Sequence, residues 1–308
     1  MQNNTFNLSQ YSNDRHRVIT PIDLATRFPE VLDISISRYN TEIDLFRQLA
    51  NNSSSSHELL KYIRESGFNA KQRMTLLKIF RRCVCPIVDT EMAKKLKVAT
   101  ATLVLNYGEY FKDITIVQNQ FNNFSPAHKA ALAALVGEYD TRGQSGYILT
   151  GWFFDWFNQT FSGQFSISGP RGAGRDIELR TLYDTYEGDF PCDFVITDNN
   201  NNNVCAIGFA RYDATRGGAQ SDDRTGGNAD KVSKASQFCA TYGHRFRIIF
   251  LSDGPGLAHN DTWTEACRLD NSWDGAVRVT TLKTAPYRIT ADWLLGLDTP
   301  SEFPPIHF

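Results

Sequence analysis

Pro191-Cys192-Asp193-Phe194-Val195-Ile196-Thr197, then Asp198 and five Asn, then Val204-Cys205-Ala206-Ile207-Gly208-Phe209-Ala210 is the stretch on which the fold turns. Two short apolar runs flank a turn made of Asp and Asn, residues that tolerate left-handed backbone geometry. The pair therefore reads as a β-hairpin. Upstream, Ile177-Glu178-Leu179-Arg180-Thr181-Leu182-Tyr183 alternates in part and reads as a strand. Before it, Gly146–Phe161 carries Ile148, Leu149, Trp152, Phe153, Phe154, Trp156, Phe157 and Phe161, apolar nearly all round, with Asp155 in its middle. Such a helix is buried on most faces. Downstream, Val232, Ala235, Phe238, Cys239 and Tyr242 mark an amphipathic helix, and Phe246–Leu251 a buried strand. The order from Gly146 to Leu251 is helix, strand, strand, strand, helix, strand.

This order resembles the αβββαβ core of the PD-(D/E)xK nuclease superfamily, which includes many type II restriction endonucleases. In that family an Asp opens the second strand and a Glu-x-Lys or Asp-x-Lys lies on the third. Here Pro191-Cys192-Asp193 supplies the Asp, with one residue inserted after the Pro, while the Glu-x-Lys positions fall on Gly208 and Ala210. The resemblance implies an α/β fold with a restriction-endonuclease-like core and a central mixed sheet. It also implies Mg²⁺-dependent hydrolysis of double-stranded DNA by a homodimer in a bacterial cytoplasm. Asp193 would bind the metal with Glu178 as second acid. Arg211 would stabilise phosphate charge, with Asp213 beside it. Asp176 and Asp155 are alternative sources of the missing carboxylate, and Glu178-x-Arg180 would place the site one strand earlier. Two carboxylates suit Mg²⁺, an ion that takes oxygen ligands, whereas Arg stays protonated and is a poor base.

Two Gly/Arg segments flank these elements. Arg211–Asn228 contains Arg211, Arg216 and Arg224, four Gly and Gln220, and leads towards Lys231 and Lys234 at the expected start of the second helix. Arg and Gln match base edges, Gly lets backbone approach phosphate, and a helix N-terminus attracts it. Ser168–Arg175 adds Arg171 and Arg175 ahead of the expected first strand; it lacks the Gly-Lys-Ser/Thr of a phosphate-binding loop. Arg171, Arg175, Arg216, Gln220, Arg224, Lys231 and Lys234 are the expected DNA contacts.

The 308 residues carry 32 Lys+Arg against 34 Asp+Glu, a net charge of -2. The aromatic content of 12% excludes a globally disordered chain. The neutral total is segregated. His57–Lys97 holds 10 basic and 4 acidic residues, a net of +6, which leaves -8 for the rest. Arg171–Lys234 holds 8 basic and 11 acidic residues, a net of -3. A basic patch suits phosphate contact. No apolar run is long enough to cross a membrane, and Met1-Gln2-Asn3-Asn4 lacks the features of a secretory leader. Six Cys without CxxC spacing read as free thiols of a reducing compartment.

The expected organisation is an N-terminal segment and linker over 1–56, a basic helical domain over 57–140 for DNA contact or dimerisation, and the nuclease-like α/β domain over 141–308. Ile34 and Ile36 suggest a short strand, and Asn51–Ser56 a linker. Glu91–Leu103 has the spacing of a weak helix-turn-helix, and Ser125-Pro126 opens a further helix. A non-catalytic DNA-binding protein on the same fold is the alternative, favoured by Gly208 and Ala210. A nucleotide or sugar-phosphate enzyme using the Gly/Arg loops is a third reading.

Overall fold

The computed structural model describes residues 7–138, 140, 143–215 and 221–297. The chain divides into two compact units. Ala25–Thr141 forms a helical unit, and Met1–Leu24 joins Arg142–Phe308 in an α/β unit. The expected boundary at 56/57 is therefore displaced. The N-terminal segment, with α1 (Arg15–Val18), belongs to the α/β core because Leu8, Tyr11, Val18 and Ile19 are buried in it. Two buried carboxylates bind its backbone. Asp270 accepts the Leu8 N–H at 2.9 Å and Asp253 the Thr20 N–H at 2.7 Å.

The helical unit contains α2 (Glu30–Asn51), α3 (Ser56–Glu65), α4 (Ala70–Cys83), α5 (Thr90–Lys94), α6 (Thr100–Tyr107), α7 (Ile114–Asn122) and α8 (Pro126–Gly137). The strand expected around Ile34 and Ile36 is part of α2, whose buried Tyr39, Ile43, Phe46 and Ala50 fall at i, i+4, i+7 and i+11. That stripe runs unbroken through both expected elements. The Asn51–Ser56 run is a turn within one core, capped by Ser55, whose side chain accepts the Glu58 N–H. Ser125 caps α8 in the same way.

The basic character of this unit has a structural explanation. Arg64 is buried and donates to Ala93 O at 2.8 Å, to Thr100 Oγ1 at 2.7 Å, to Lys95 O at 3.2 Å and to Val98 O. One guanidinium thus ties together the α5–α6 turn. Lys78 pairs with Asp140 at 2.8 Å and Arg82 with Glu138 at 2.6 Å. Both acids lie beyond the +6 window in sequence, so part of its apparent surplus is internally matched.

In the α/β unit, α9 (Gln144–Thr160) precedes β1 (Phe165–Ser168), β2 (Ile177–Glu178), β3 (Pro191–Cys192), β4 (Phe194–Asp198) and β5 (Val204–Tyr212). Next come α10 (Ser221–Tyr242), β6 (Arg247–Asp253), α11 (Asn260–Leu269), β7 (Val277–Thr280), α12 (Ala285–Arg288) and α13 (Ala291–Leu295). The main sheet is mixed and five-stranded, in the order β1-β4-β5-β6-β7. β1, β4 and β5 are antiparallel neighbours, whereas β6 and β7 run parallel to β5. The α10 crossover permits the switch, because parallel neighbours need a long connection. No helix among the described residues is long and apolar enough to cross a membrane.

The β4–β5 hairpin forms around the predicted Asp/Asn turn. Asp198 accepts the Asn200 N–H, the Asn200 Nδ2 and the Asn201 Nδ2, all at 2.9 Å. Three expectations shift. The first strand of the sheet is Phe165–Ser168, so the Ser168–Arg175 loop follows that strand rather than preceding it. The expected strand at 177–183 is only two residues long before a 3-10 turn, Leu179–Thr181, and pairs with β3 in a separate ribbon. Finally, Ser221–Asn228 is helical, so Lys231 lies well inside α10 rather than at its start.

Candidate functional site

The sheet has two unlike faces, and β5 shows both. From Ala206 onward its side chains alternate. Ala206, Ala210 and Tyr212 join a core with α9, whose Phe153 and Phe154 pack against Phe194. Ile207 and Phe209 join the other core, with Val232, Ala235 and Phe238 of α10.

This alternation corrects the expected Glu-x-Lys positions. Gly208 and Ala210 belong to the α9 face. A Cβ at Gly208 would lie 1.9 Å from the Phe194 ring, so glycine there accommodates an aromatic ring. The positions facing α10 are Phe209 and Arg211.

Asp193 sits where the strand forks. Pro191–Cys192 pairs with β2, and Phe194–Asp198 pairs with β1 and β5. The Asp193 N–H still reaches Gly208 O at 2.9 Å. One step further, the Ala210 N–H is met by Asp193 Oδ2 at 2.7 Å in place of a main-chain carbonyl. The carboxylate thus closes the ladder at the fork. Gly169, in the loop after β1, lies against this point. A Cβ there would be 2.3 Å from Asp193 O, so the Gly/Arg loop is anchored on the Asp193 backbone.

The second carboxylate beside Asp193 is Asp176. The β2–β3 register pairs Ile177 with Cys192 and Glu178 with Pro191, and Asp176 and Asp193 are the residues flanking this two-residue ladder, near enough to act on each other electrostatically. Glu178 is engaged differently, with its Oε2 accepting the Phe190 N–H at 3.1 Å. Burial raises the Asp193 carboxyl above its ordinary range and Asp176 adds to the rise, while the Ala210 N–H and Lys231 oppose it.

Lys231 completes the group. Its Nζ lies 3.8 Å from the centre of the Phe209 ring, a cation–π contact. Burial lowers its pKa, while Asp193, Cys192 and Asp176 oppose that shift and Arg211 contributes to it. Arg211 in turn binds Asp213 at 2.7 Å. Asp213 is fixed through its backbone, donating to Asp253 O and accepting from the Gly256 N–H, each at 2.7 Å.

The remaining expected residues are dispersed. Arg171 pairs with Asp155 at 2.5 Å and lies over the Phe154 ring. Asp155 is on the exposed side of α9, its side chain 56% accessible, rather than in the core. Trp152, also exposed, shows that α9 is not buried all round. Arg175 is exposed. Lys234 points outward and pairs with Asp230 one turn back at 2.7 Å. Arg216 and Gln220 lie outside the described residues, as does the side chain of Arg224.

Sequence reasoning placed Lys231 at a helix start and Asp176 only among alternatives. The signal for Lys231 is its spacing, four residues before Ala235 and seven before Phe238, which sets it on the buried stripe. Asp176 has no such signal, because its importance rests on the β2–β3 register.

The site offers two carboxylates, one half-buried lysine and one arginine already matched by Asp213. Among the described residues no group of three His, Cys, Asp or Glu is gathered as a metal cluster. Two carboxylates do fit Mg²⁺, which is commonly held by one or two of them together with water and substrate phosphate. No protein-family model, curated protein or solved structure matches this chain.

Proposed function

We propose that this chain is a Mg²⁺-dependent endonuclease acting on double-stranded DNA, with a restriction-endonuclease-like core. The observation that carries the reading is Lys231 seated over Phe209 on the α10 face of the sheet, with Asp193 and Asp176 near enough to act on it electrostatically. The element order supports it: with the separate β2–β3 ribbon inserted after β1, the elements α9, β1, β4, β5, α10 and β6 run as helix, three antiparallel strands, helix and parallel strand.

Asp193 and Asp176 would hold Mg²⁺, which would polarise the scissile phosphate. Lys231 orients the attacking water and offsets negative charge developing on the phosphate. It does so from a helix, in place of a strand lysine at residue 211. Arg211 stands at that strand position and, swung from Asp213, contacts a phosphate oxygen. Glu178, accepting the Phe190 N–H, holds the β2–β3 ribbon and so keeps Asp176 near Asp193. Action as a homodimer on a palindromic site in a bacterial cytoplasm belongs to the same reading.

Incubation of supercoiled plasmid with the full chain tests it. Nicked and linear products are expected with Mg²⁺ and not with EDTA. One observation favours a second reading, a DNA-binding protein without catalysis. On β5 the residue nearest Asp193 on this face is Phe209, where a further carboxylate would complete the cluster. Tight DNA retention with no cleavage at any Mg²⁺ concentration would select that reading and reject the enzyme.

A further inference from the structure

Beside the Asp193 group, the α/β unit contains a cavity of about 480 Å³. It opens at the C-terminal ends of the parallel strands β5, β6 and β7, with α10 and α11 as walls, the customary place for a ligand in such sheets. Its volume lies within the roughly 300–1,000 Å³ of small-molecule sites. The apolar surface comes from Val232, Leu257 and Val279, which also belong to the hydrophobic core. Polar groups surround it. Arg211 and Asp213 stand at one side, Asn228 on α10, and Thr262 and Glu265 on α11.

The chemistry of the lining selects the ligand class. Two arginines, Arg211 and Arg268, and two acids, Asp213 and Glu265, line the cavity, with Arg211 bound to Asp213 at 2.7 Å, so its described lining has no net positive charge of the kind a bare phosphate requires. A long aliphatic chain would set its methylenes against Asn228, Thr262 and Glu265. A flat heterocycle with apolar faces and an edge of alternating donors and acceptors satisfies both parts of the lining. Amides, carboxylates, hydroxyls and guanidinium groups pair with such edges.

The geometry points to this cavity as a binding site for a nucleobase. Two sources share that chemistry: a free nucleoside, or a base extruded from duplex DNA, as enzymes that reach into DNA bring about. The second source deepens the nuclease reading and rests on it. Arg211 links the two sites, since it lines the cavity and acts electrostatically on Lys231. A base held there would place its own backbone phosphate towards the Asp193 group.

The test uses the full chain and two probes. The first is thermal unfolding with each of adenosine, guanosine, cytidine and thymidine at millimolar concentration. The second is the fluorescence of 2-aminopurine walked through duplex fragments of a plasmid that the chain retains, since an unstacked 2-aminopurine brightens. Ala229→Trp closes the mouth from an exposed position on α10, and Ser233→Tyr is an independent blocking variant should the first unfold. The expected result is a rise in Tm of about 2–4 °C with at least one nucleoside, or a several-fold rise in fluorescence at one position, lost in the blocking variant. A nucleoside response without DNA binding keeps the cavity assignment and removes the nuclease. DNA cleavage with neither response overturns the cavity assignment and leaves the nuclease standing. Responses that persist unchanged in both blocking variants overturn it as well, as does silence from both probes in a chain that does not cut.

Discussion

The two faces of the five-stranded sheet are built from the same strands, one residue out of phase. On the α9 side, Gly208 and Ala210 are small because the rings of Phe194, Phe153 and Phe154 fill the space. On the α10 side, Phe209 lies under Lys231, with Arg211 and Asp193 near enough to act on it electrostatically. One face is dry aromatic packing, and the other places a lysine and one carboxylate in partly buried surroundings with a second, exposed carboxylate near them. A strand alternates sides at every residue, so reading its chemistry requires its phase as well as its composition.

The predictions probe that contrast. The largest effect is expected at the fork. Asp193→Asn keeps a group able to accept the Ala210 N–H but removes the charge, and DNA cleavage should fall by on the order of 10³-fold. Lys231→Met retains the stem over Phe209 and should cost about 10²-fold in rate. Plasmid cleavage time courses check both. On the opposite face the effect should appear in stability and not in chemistry. Gly208→Ala forces a methyl into the Phe194 ring and should destabilise by about 2–3 kcal/mol, measured by urea unfolding. Adding Phe194→Leu should recover part of that loss. Asp155→Ala, which breaks only the exposed pair with Arg171, should change stability by less than about 0.5 kcal/mol.

Acidity separates the faces further. The Asp193 pKa is raised in the folded state, so its contribution to stability is present below the ordinary carboxylate range and lost as pH rises through the folded value. The Lys231 pKa is lowered, so its contribution is present above the ordinary lysine value and lost as pH falls through the folded one. Between these windows both groups are charged at a cost, and the pair Asp193→Asn with Lys231→Met should raise Tm near neutral pH. Cleavage should rise with pH as Asp193 ionises and decline as Lys231 loses its proton, below the usual lysine range. Gly208→Ala should lower Tm without moving either limb of the pH–rate profile.

The contrast also explains how far the sequence could be read. The α9 aromatics, the Asp/Asn turn and the Val232–Tyr242 stripe announce helix α9, the β4–β5 hairpin and helix α10, because each is a local pattern with a fixed period. β1 was not legible. Its four residues are too few for alternation to register, and the longer run at 177–183 has the stronger local pattern although only its first two residues pair. Asp193 was legible from its place before an apolar run. Asp176 is not, since its nearness to Asp193 depends on the β2–β3 ribbon that both residues flank. The +6 window over 57–97 misled for a related reason: Glu138 and Asp140, which neutralise part of it, are distant in sequence and close in the fold. Arg64 adds to this, as a buried structural cation that any charge count assigns to the surface.

A double-mutant cycle at Asp193 and Lys231, read by Mg²⁺-dependent plasmid cleavage, tests the central claim most directly. If the two residues form one active site, wild type cuts, each single variant loses nearly all activity, and the double variant is scarcely worse than Asp193→Asn alone, because groups that act as a unit do not contribute additively. Cleavage that survives Asp193→Asn at the wild-type rate would place the chemistry elsewhere and contradict the account.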